Sequence, residues 1–371
     1  METTKSGAEV VVFEGSRISG KVVDGGGAWF NGGRLTEVRV QSTRVNGRWS
    51  VPRNFTFTNW KLNGSIRVVG MGASQSTELL KSSRSLGHTG RVQAAAPRNI
   101  TLSNLTIKAS SRSRMPLVVA PGATGVTLRD STITGKSVSA AIYLDAESAG
   151  NVIRGNTFAL TPSREVIAVD GSRDNLIEGN RFLRLPWGGI NVYRNCGEGG
   201  VIRHQEPTGN RIRDNFFDLD TLTDYWSRQP MNRKIGYRYA VWLGSREDDQ
   251  PGYCSEDKGW NFGSSADNGD FADRNQVVNN TYSGRRTGYT SIVGPLKVGP
   301  YDKFVEDDGS DNTISGNRDR SSARLSQRFM LAPSQPGPFA PAAAPVADTV
   351  AAPVADTVHG PAAWEGSWLA A

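Results

Sequence analysis

Two segments of the chain, residues 185–207 and 224–248, concentrate aromatic and charged side chains. Aromatic rings can stack on the rings of sugars, and a guanidinium group binds a carboxylate or sulfate through two parallel hydrogen bonds. The alternation of these types favours a surface that binds an acidic sugar polymer. The alternative is a pair of structured loops with solvated charges and a small aromatic core of their own. The candidate binding residues are Trp187, Tyr193, Glu198, Trp226, Arg228, Tyr239, Trp242 and Arg246.

The same segments contain the residue types that β-elimination at an acidic sugar requires. That reaction needs a base at the carbon next to the carboxylate, a cation that neutralises the carboxylate, and an acid for the leaving oxygen. An imidazole titrates near neutral pH, so His204 can serve as acid or base, although a lone histidine is often a structural hydrogen-bond donor. Glu206 would orient the base. The candidate catalytic residues are Arg194, Arg203, His204, Glu206, Lys234, Tyr237 and Arg238.

Hydrolysis of a glycosidic bond would instead use two carboxylates placed across the bond. Carboxylates are present in the same region, but the only two Asp-Asp pairs, at 248–249 and 307–308, lie in segments that read as exposed loops. The sequence therefore ranks a hydrolase below a lyase. The available carboxylates are Glu198, Glu206, Asp214, Asp218, Asp220 and Asp224.

Metal and disulfide chemistry receive weaker signals. Residues 307–312 (DDGSDN) offer the oxygen ligands that Ca²⁺ prefers, but they lack a distal Glu, and a polar turn is the alternative reading. Cys196 and Cys254 allow one disulfide or two separate thiols, and no Cys/His spacing is typical of zinc. We predict no resident metal, with Ca²⁺ as the one ion to test.

The charge and composition of the chain limit the classes of partner that it is expected to bind. The net charge of +7 favours a polyanion, and an acidic polysaccharide is preferred because no zinc-finger or RNA-binding aromatic motif occurs. No run of 18 apolar residues is present, so no membrane helix is expected. The first residues show no charged-then-apolar signal region, and the expected location, secreted or periplasmic, follows from the expected class of enzyme and from the possible disulfide.

One eight-residue pattern recurs along the chain and predicts the architecture. NVIRGNTF begins at Asn151 and NLIEGNRF at Asn175, and related segments begin at Asn210, Asn275 and Asn312. Apolar and polar residues alternate within the pattern, which is typical of strands, and a period of 24–26 residues is typical of a solenoid. Asn54 and Asn99 are 45 residues apart, which we interpret as two such steps. The sequence predicts short strands stacked coil upon coil.

The repeated asparagines have a structural explanation. Equivalent residues of successive coils lie about 4.8 Å apart, so their amides can bond to one another, and asparagine also tolerates the left-handed conformation of sharp bends. The predicted asparagine ladder is Asn156, Asn180, Asn215, Asn280 and Asn317.

This pattern resembles the right-handed parallel β-helix superfamily, which includes pectin-lyase-like and NosD-type repeat proteins. The resemblance implies an all-β, single-stranded right-handed parallel β-helix over roughly residues 10–320. It leaves the activity open among lyases, glycosidases, epimerases, depolymerases and non-enzymatic proteins. Lyases of the superfamily use Arg or Lys as the base, often with Ca²⁺ on the carboxylate. The aspartate motifs of its polygalacturonases and uronate epimerases are missing here.

Breaks in the repeat predict where a site lies. The steps from Asn175 to Asn210, Asn210 to Asn275 and Asn275 to Asn312 exceed whole coils by 11, 17 and 13 residues, whereas the first half of the chain shows no comparable excess. Inserted loops between about 183 and 311 should therefore wall a groove. The predicted organisation is a β-helix domain at 1–320, a cap at 321–335 and a flexible Ala/Pro-rich tail at 336–371.

The leading hypothesis is a lyase that acts on an acidic, uronate-containing polysaccharide. The alternatives are a non-catalytic glycan-binding or surface scaffold protein and a glycoside hydrolase. The sequence leaves the oligomeric state open.

Overall fold

The protein is described by a computed structural model of its 371 residues. The structure describes residues 2–111, 115–195, 197–219, 239–244, 256–267, 272–283 and 304–320. The predicted cap and tail, both cysteines and six of the predicted site residues lie outside these ranges. Those six residues are Trp226, Arg228, Lys234, Tyr237, Arg238 and Arg246.

Three parallel sheets run along the described part of the molecule, and each coil after the first contributes one strand to each of them. Strand β7 (Lys61–Val69) bends from sheet C into sheet A and joins the two. The other strands of sheet A are β1 (Glu9–Glu14), β3 (Thr36–Gln41), β10 (Leu117–Val119), β13 (Ile142–Leu144), β16 (Ile167–Asp170), β19 (Ile190–Tyr193), β22 (Val241–Leu243) and β25 (Val305–Asp307). Sheet B contains β2 (Val22–Asp24), β6 (Thr56–Thr58), β8 (Thr101–Ser103), β11 (Thr127–Arg129), β14 (Val152–Arg154), β17 (Leu176–Glu178), β20 (Arg211–Arg213), β23 (Gln276–Val278) and β26 (Thr313–Ser315). Sheet C continues with β9 (Thr106–Ala109), β12 (Thr132–Ser137), β15 (Thr157–Pro162), β18 (Arg181–Phe182), β21 (Phe216–Asp218), β24 (Thr281–Ser283) and β27 (Arg318–Asp319).

The remaining elements are short. A hairpin joins β4 (Thr43–Val45) to β5 (Arg48–Ser50), and three helices, α1 (Thr77–Ser83), α2 (His88–Ala95) and α3 (Gly263–Ala266), lie outside the sheets. Single 3-10 turns occupy Ser16–Ile18, Phe30–Gly33 and Glu198–Gly200. None of the described helices has the length and apolar character needed to span a membrane. The predicted solenoid of stacked parallel strands is confirmed.

Alternating side chains fill the interior of the rod. In β15, residues 158, 160 and 162 are buried, whereas residues 157, 159 and 161 are partly exposed. Phe158, Phe182 and Phe217 stack through successive coils with ring centroids 4.9 and 4.6 Å apart. This distance matches the spacing of neighbouring strands, so identical residues in consecutive coils pack face to face. The period-two pattern in the sequence is the pattern of this core.

Two coil lengths differ from the prediction. Thr56 pairs directly with Thr101, so the 45-residue interval between Asn54 and Asn99 is one coil and not two. Its extra residues form α1 and α2, which contradicts the prediction that the first half of the chain has no large insertion. Arg211 likewise pairs with Gln276, so the 65-residue interval is also a single coil. A period read from sequence cannot distinguish two plain coils from one coil with an insertion.

The asparagine ladder is confirmed, and a second ladder accompanies it. The side chain of each predicted ladder asparagine bonds to its counterpart in the next coil, as from Asn180 Nδ2 to Asn215 Oδ1 at 3.0 Å. The second ladder, absent from the prediction, consists of Asn151, Asn175, Asn210, Asn275 and Asn312.

The left-handed bends fall one residue before the ladder positions. In the later coils Gly155, Gly179 and Asp214 adopt positive φ and precede buried ladder asparagines. In the early coils Asn59 and Asn104 themselves occupy the left-handed position. We predicted that the same asparagines would form the ladder and occupy the left-handed bend. The structure divides these roles: one residue adopts the bend, and the next residue forms the ladder.

Asn215→Ala should lower the free energy of unfolding by about 2–4 kcal/mol. The amide of Asn215 accepts two hydrogen bonds from Asn180 and donates to Ile177 O and Asn280 Oδ1, so its removal leaves buried partners unsatisfied. Urea denaturation would measure the loss. Asn104→Gly is the control, because Asn104 is exposed and its φ of 52° suits glycine. Equal stability of Asn215→Ala and wild type would contradict the ladder's role.

Candidate functional site

Three insertions follow strands of sheet A and meet at one corner of the rod, between sheets A and B. The first carries α1 and α2 after β7, the second is residues 194–210 after β19, and the third includes α3 after β22. Ile202 N donates to Ser83 Oγ at 3.1 Å, and Arg203 N donates to Ser264 Oγ at 2.8 Å. We call this meeting point, together with the turns 145–149 and 171–174 beneath it, the corner site.

A buried ion pair lies at the base of the corner site. Arg203 is 1% exposed and its Nη1 donates to Asp145 Oδ1 at 3.1 Å. Asp145 also accepts hydrogen bonds from Ser74 Oγ and from Ala146 N. The ion pair therefore ties the second insertion to a turn of the regular rod, and Ser74 ties the first insertion to the same carboxylate.

A second buried carboxylate stands in the next coil. Asp170 aligns with the position of Asp145 in sheet A and is fully buried. It accepts hydrogen bonds from Tyr143 OH and, at 2.7 Å, from Asn195 N. Two carboxylates thus share the neighbourhood of one guanidinium, since both Asp145 and Asp170 interact electrostatically with Arg203.

The pKa values in this cluster are determined by burial and by the presence of two acids, Asp145 and Asp170, near one base, Arg203. Burial raises the pKa of Asp145 to about 6; Arg203 opposes this increase and Asp170 adds to it. Burial acts to lower the pKa of Arg203, but the two carboxylates outweigh it and raise that pKa, so the guanidinium stays charged. Burial and the nearby Asp170 also raise the pKa of Tyr143, which stays a neutral hydrogen-bond donor.

The guanidinium of Arg203 is incompletely satisfied. Its Nε and Nη2 are buried and have no hydrogen-bond partner. A guanidinium that is buried, ion-paired and permanently charged cannot abstract a proton from a substrate, because it has no lone pair to accept one. The ion pair of Arg203 with Asp145 therefore holds the second insertion in place.

Glu147 binds the backbone of His204 and Gln205, the two residues that follow Arg203. It is buried, has a left-handed φ of 60°, and accepts hydrogen bonds from His204 N at 2.7 Å, Gln205 N at 3.3 Å and Thr89 Oγ1. One carboxylate therefore binds both the second insertion and helix α2. Sequence reasoning missed this residue because its neighbours lie 58 positions away in both directions.

His204 is held in one orientation by its Nε2 atom. That nitrogen bonds to the backbone oxygen of Ser83 at 2.6 Å, and the ring packs between His88 and Phe262 with centroids 5.0 Å from each. A carbonyl oxygen can only accept, so Nε2 carries the proton in this bond. In the neutral imidazole, Nδ1 is then an unprotonated acceptor. Burial lowers the pKa of His88 to about 3, and the charges of Arg91, Arg203 and, when it is protonated, His204 add to this decrease, so that neighbour is uncharged.

A polar pocket of about 450 Å³ opens beside His204. Two arginines, from coils that are separated by one intervening coil, contribute to its wall. Their guanidinium groups are engaged by exposed carboxylates, Arg173 with Asp174 at 2.8 Å and Arg274 with Glu206 at 3.2 Å. The lining residues are Thr89, Arg173, His204, Gln205, Glu206, Thr208 and Arg274.

Two predicted catalytic residues have other contacts than expected. Glu206 is half exposed and pairs with Arg274, whereas the hydrogen bonds that orient His204 come from Ser83 O and Glu147. Arg194 is buried, and its guanidinium donates to the backbone oxygens of Arg203 and Asp267. Backbone acceptors hold Arg194 inside the corner site.

Two of the predicted aromatic residues lie on the outer face of sheet A. Tyr193 and Trp242 are buried there, with ring centroids 6.0 Å apart, and Trp242 Nε1 donates to Asp308 at 2.9 Å. Trp187 and Tyr239 are partly exposed. Glu198 accepts a hydrogen bond from Asn195 at 3.1 Å, at the edge of the corner site. The structure thus brings Arg194, Glu198, Arg203, His204 and Glu206 to the corner and leaves the aromatic residues beside it.

Metal ligands are not gathered in the described residues: no group of three His, Cys, Asp or Glu side chains could hold an ion there. In residues 307–312, Asp307 Oδ1 accepts hydrogen bonds from Gly309 N and Asn312 Nδ2. Those bonds close a polar turn.

The fold class is also evident from comparison with known proteins. A family model described as a right handed beta helix region matches residues 69–221. The parallel sheets continue on both sides of that region, so the described part of the chain folds as a parallel β-helix that contains this right handed beta helix region. No curated protein matches the sequence significantly.

Solved structures with a similar fold share little sequence with the chain. Endo-xylogalacturonan hydrolase from Aspergillus tubingensis is 12% identical, with a TM-score of 0.43; the match covers 78% of this chain and 62% of that one. PfbA, a surface adhesin of Streptococcus pneumoniae, is 11% identical, with a TM-score of 0.38 and coverages of 76% and 57%. An alginate lyase from Paenibacillus sp. str. FPU-7 is 12% identical, with a TM-score of 0.32 and coverages of 84% and 90%. The chain therefore spans about three fifths of the length of the first two.

Proposed function

We propose that the protein is a carbohydrate-active lyase that cleaves an acidic, uronate-containing polysaccharide by β-elimination, with His204 as the base. The observation that carries the proposal is the bond from His204 Nε2 to Ser83 O, made by a residue that lines a pocket with two arginines. That bond leaves Nδ1 as the free acceptor. A lyase needs such an acceptor beside a cationic site for the substrate's carboxylate.

The arginines of the pocket supply the cationic site. Arg173 and Arg274 are 49% and 57% exposed, and their carboxylate partners are equally exposed, so these pairs are weak and can exchange for a substrate carboxylate. A guanidinium binds a carboxylate bidentately and stabilises the charge that develops when the neighbouring carbon loses its proton. The proposed roles are thus His204 for proton transfer and Arg173 with Arg274 for carboxylate binding.

The proposed reaction is balanced without any cofactor. His204 Nδ1 takes the proton from the carbon that bears the carboxylate, and the electrons of that C–H bond form a double bond to the adjacent carbon. The bond from that adjacent carbon to the glycosidic oxygen breaks. The imidazolium returns its proton to the departing oxygen, which restores the neutral base. Arg203, Glu147 and Arg194 act as positioning residues. A polymer substrate of this kind favours a secreted or periplasmic location.

The test uses the purified protein and a panel of polygalacturonate, alginate, hyaluronate and a neutral glucan. We expect a rise in ultraviolet absorbance from unsaturated products with a uronate polymer and none with the glucan. Arg173→Gln and Arg274→Gln should each raise KM several-fold, and Lys21→Gln, an exposed lysine in the first coil, should change nothing.

The other outcomes separate the alternative functions. New reducing ends without unsaturated products would favour a hydrolase. Binding of a uronate polymer with neither product would favour a glycan-binding or scaffold protein. Absence of both binding and products across the panel would overturn the proposal.

A further inference from the structure

The outer face of sheet C carries a line of basic side chains away from the corner site. Lys61, Lys108 and Lys136 are exposed and come from three consecutive coils, β7, β9 and β12. Arg181 and Arg184 follow two coils later. We call these five residues the basic stripe. With neighbouring strands about 4.8 Å apart, it extends about 19 Å along the rod.

The stripe lacks the acids that neutralise basic residues elsewhere on the rod. None of its five side chains has a carboxylate partner in the described part of the chain. On sheet B, by contrast, Arg129 pairs with Asp130 at 2.7 Å, and Arg154 and Arg213 both pair with Glu178, at 2.7 and 2.6 Å. The positive potential of sheet C is therefore uncompensated over five coils.

Hydroxyl groups fill the spaces between the charges. Thr106, Thr132 and Thr157 align in one row, and Thr161 aligns with Lys136 in another. The three lysines step diagonally across the sheet, by two residues per coil, and Arg181 returns to the row of Lys61. Such a band of cations and hydroxyls suits a linear partner that repeats an anion and several hydroxyls along its length. No aromatic side chain belongs to the stripe, whereas surfaces for single-stranded nucleic acid use aromatic rings to stack the bases.

We infer that the basic stripe is a second binding surface for an acidic polysaccharide, which lies along the rod on sheet C. This inference relies on the class of polymer named in the proposed function, but binding of the polymer to the stripe does not require cleavage. A polymer held on the stripe would remain bound to the protein between encounters with the corner site. Because the attraction is between exposed charges, it should weaken as salt increases.

The experiment compares two triple variants that change the net charge equally. The first replaces Lys61, Lys108 and Lys136 with Gln, and the control replaces Lys21, Arg48 and Arg53, which are also exposed and lie away from the corner site, with Gln. Both are made in full-length protein carrying His204→Gln, so that no polymer is cleaved during the measurement. The probe is polygalacturonate, and calorimetric titration at low and at high salt gives Kd.

We expect the stripe variant to bind polygalacturonate about tenfold more weakly at low salt, and the control within about twofold of its parent. Equal weakening of both triples would show that only net charge matters and would overturn the inference. Tighter binding of duplex or single-stranded DNA than of polygalacturonate would overturn the assignment to a polysaccharide. Because binding is measured without turnover, failure of the lyase proposal would leave this result unaffected.

Discussion

His204→Gln is expected to reduce kcat for cleavage of a uronate polymer by roughly 100-fold to 10,000-fold, the usual contribution of a general base. Glutamine has an amide nitrogen that can still donate to Ser83 O, so the corner site should keep its geometry. It has no basic nitrogen in place of Nδ1, so proton abstraction is lost. Initial rates from unsaturated-product absorbance, measured over a range of polymer concentrations, would separate kcat from KM.

The chain offers a matched control for this substitution. His359 is the remaining histidine besides His88 and His204, and it lies outside the described residues in the Ala/Pro-rich segment. His359→Gln should retain full activity. Urea midpoints of both variants would show that neither is unfolded. If His204→Gln kept the wild-type kcat, His204 would have only the structural role that its bond to Ser83 also allows.

The regular part of the fold was predictable because its physics is local and repeated. Alternating apolar residues specify strands, and Asn180, Asn215 and Asn280 mark the same bend in successive coils. The insertion of α1 and α2 was not predictable from spacing, because its 45-residue coil has nearly the length of two plain ones. Strand pairing, which decides between these readings, is a long-range property.

The candidate site was predictable only in part, for the same reason. The unusual run at 193–207 identified Arg203 and His204, which do lie together at the corner. Their partners come from elsewhere in the chain: Ser83 from α1, and Asp145 and Glu147 from a plain coil. A signal for the two aspartates was present, since Asp145 and Asp170 each follow an apolar strand 25 residues apart. The 25-residue spacing indicates that the two aspartates lie in adjacent coils, but it does not reveal that Arg203 lies beside them.

Arg203→Met is expected to lower the free energy of unfolding by about 3–5 kcal/mol at pH 7. The guanidinium is the cation that faces two buried carboxylates, Asp145 and Asp170. Its removal leaves both acids without a compensating charge in a region of low dielectric constant. Urea unfolding of the full-length variant would measure the change.

Asp145→Asn is the contrasting variant, and its cost should be within about 1 kcal/mol. The cluster contains one more acid than base, so loss of one negative charge leaves Arg203 facing Asp170. The asparagine oxygen can still accept from Arg203 Nη1 and from Ala146 N, and its amide nitrogen can donate to Ser74 Oγ, which now donates to the other carboxylate oxygen. A large loss in Asp145→Asn together with a small loss in Arg203→Met would contradict this account of the charges.

The pH dependence of stability distinguishes the charge of Asp145 from its packing. Burial raises the pKa of Asp145 from 3.8 to about 6, so between these values the folded protein keeps a proton that the unfolded chain releases. The stabilising effect of that proton is complete below about pH 4 and is lost as the pH rises through 6. Wild type should therefore lose stability relative to Asp145→Asn between pH 4 and pH 7.

Arg203→Met should likewise be less damaging at pH 4 than at pH 7, because protonation removes the uncompensated charge. Parallel urea titrations of the three proteins at the two pH values test both statements, and a constant difference between wild type and Asp145→Asn would show that Asp145 does not titrate in this window.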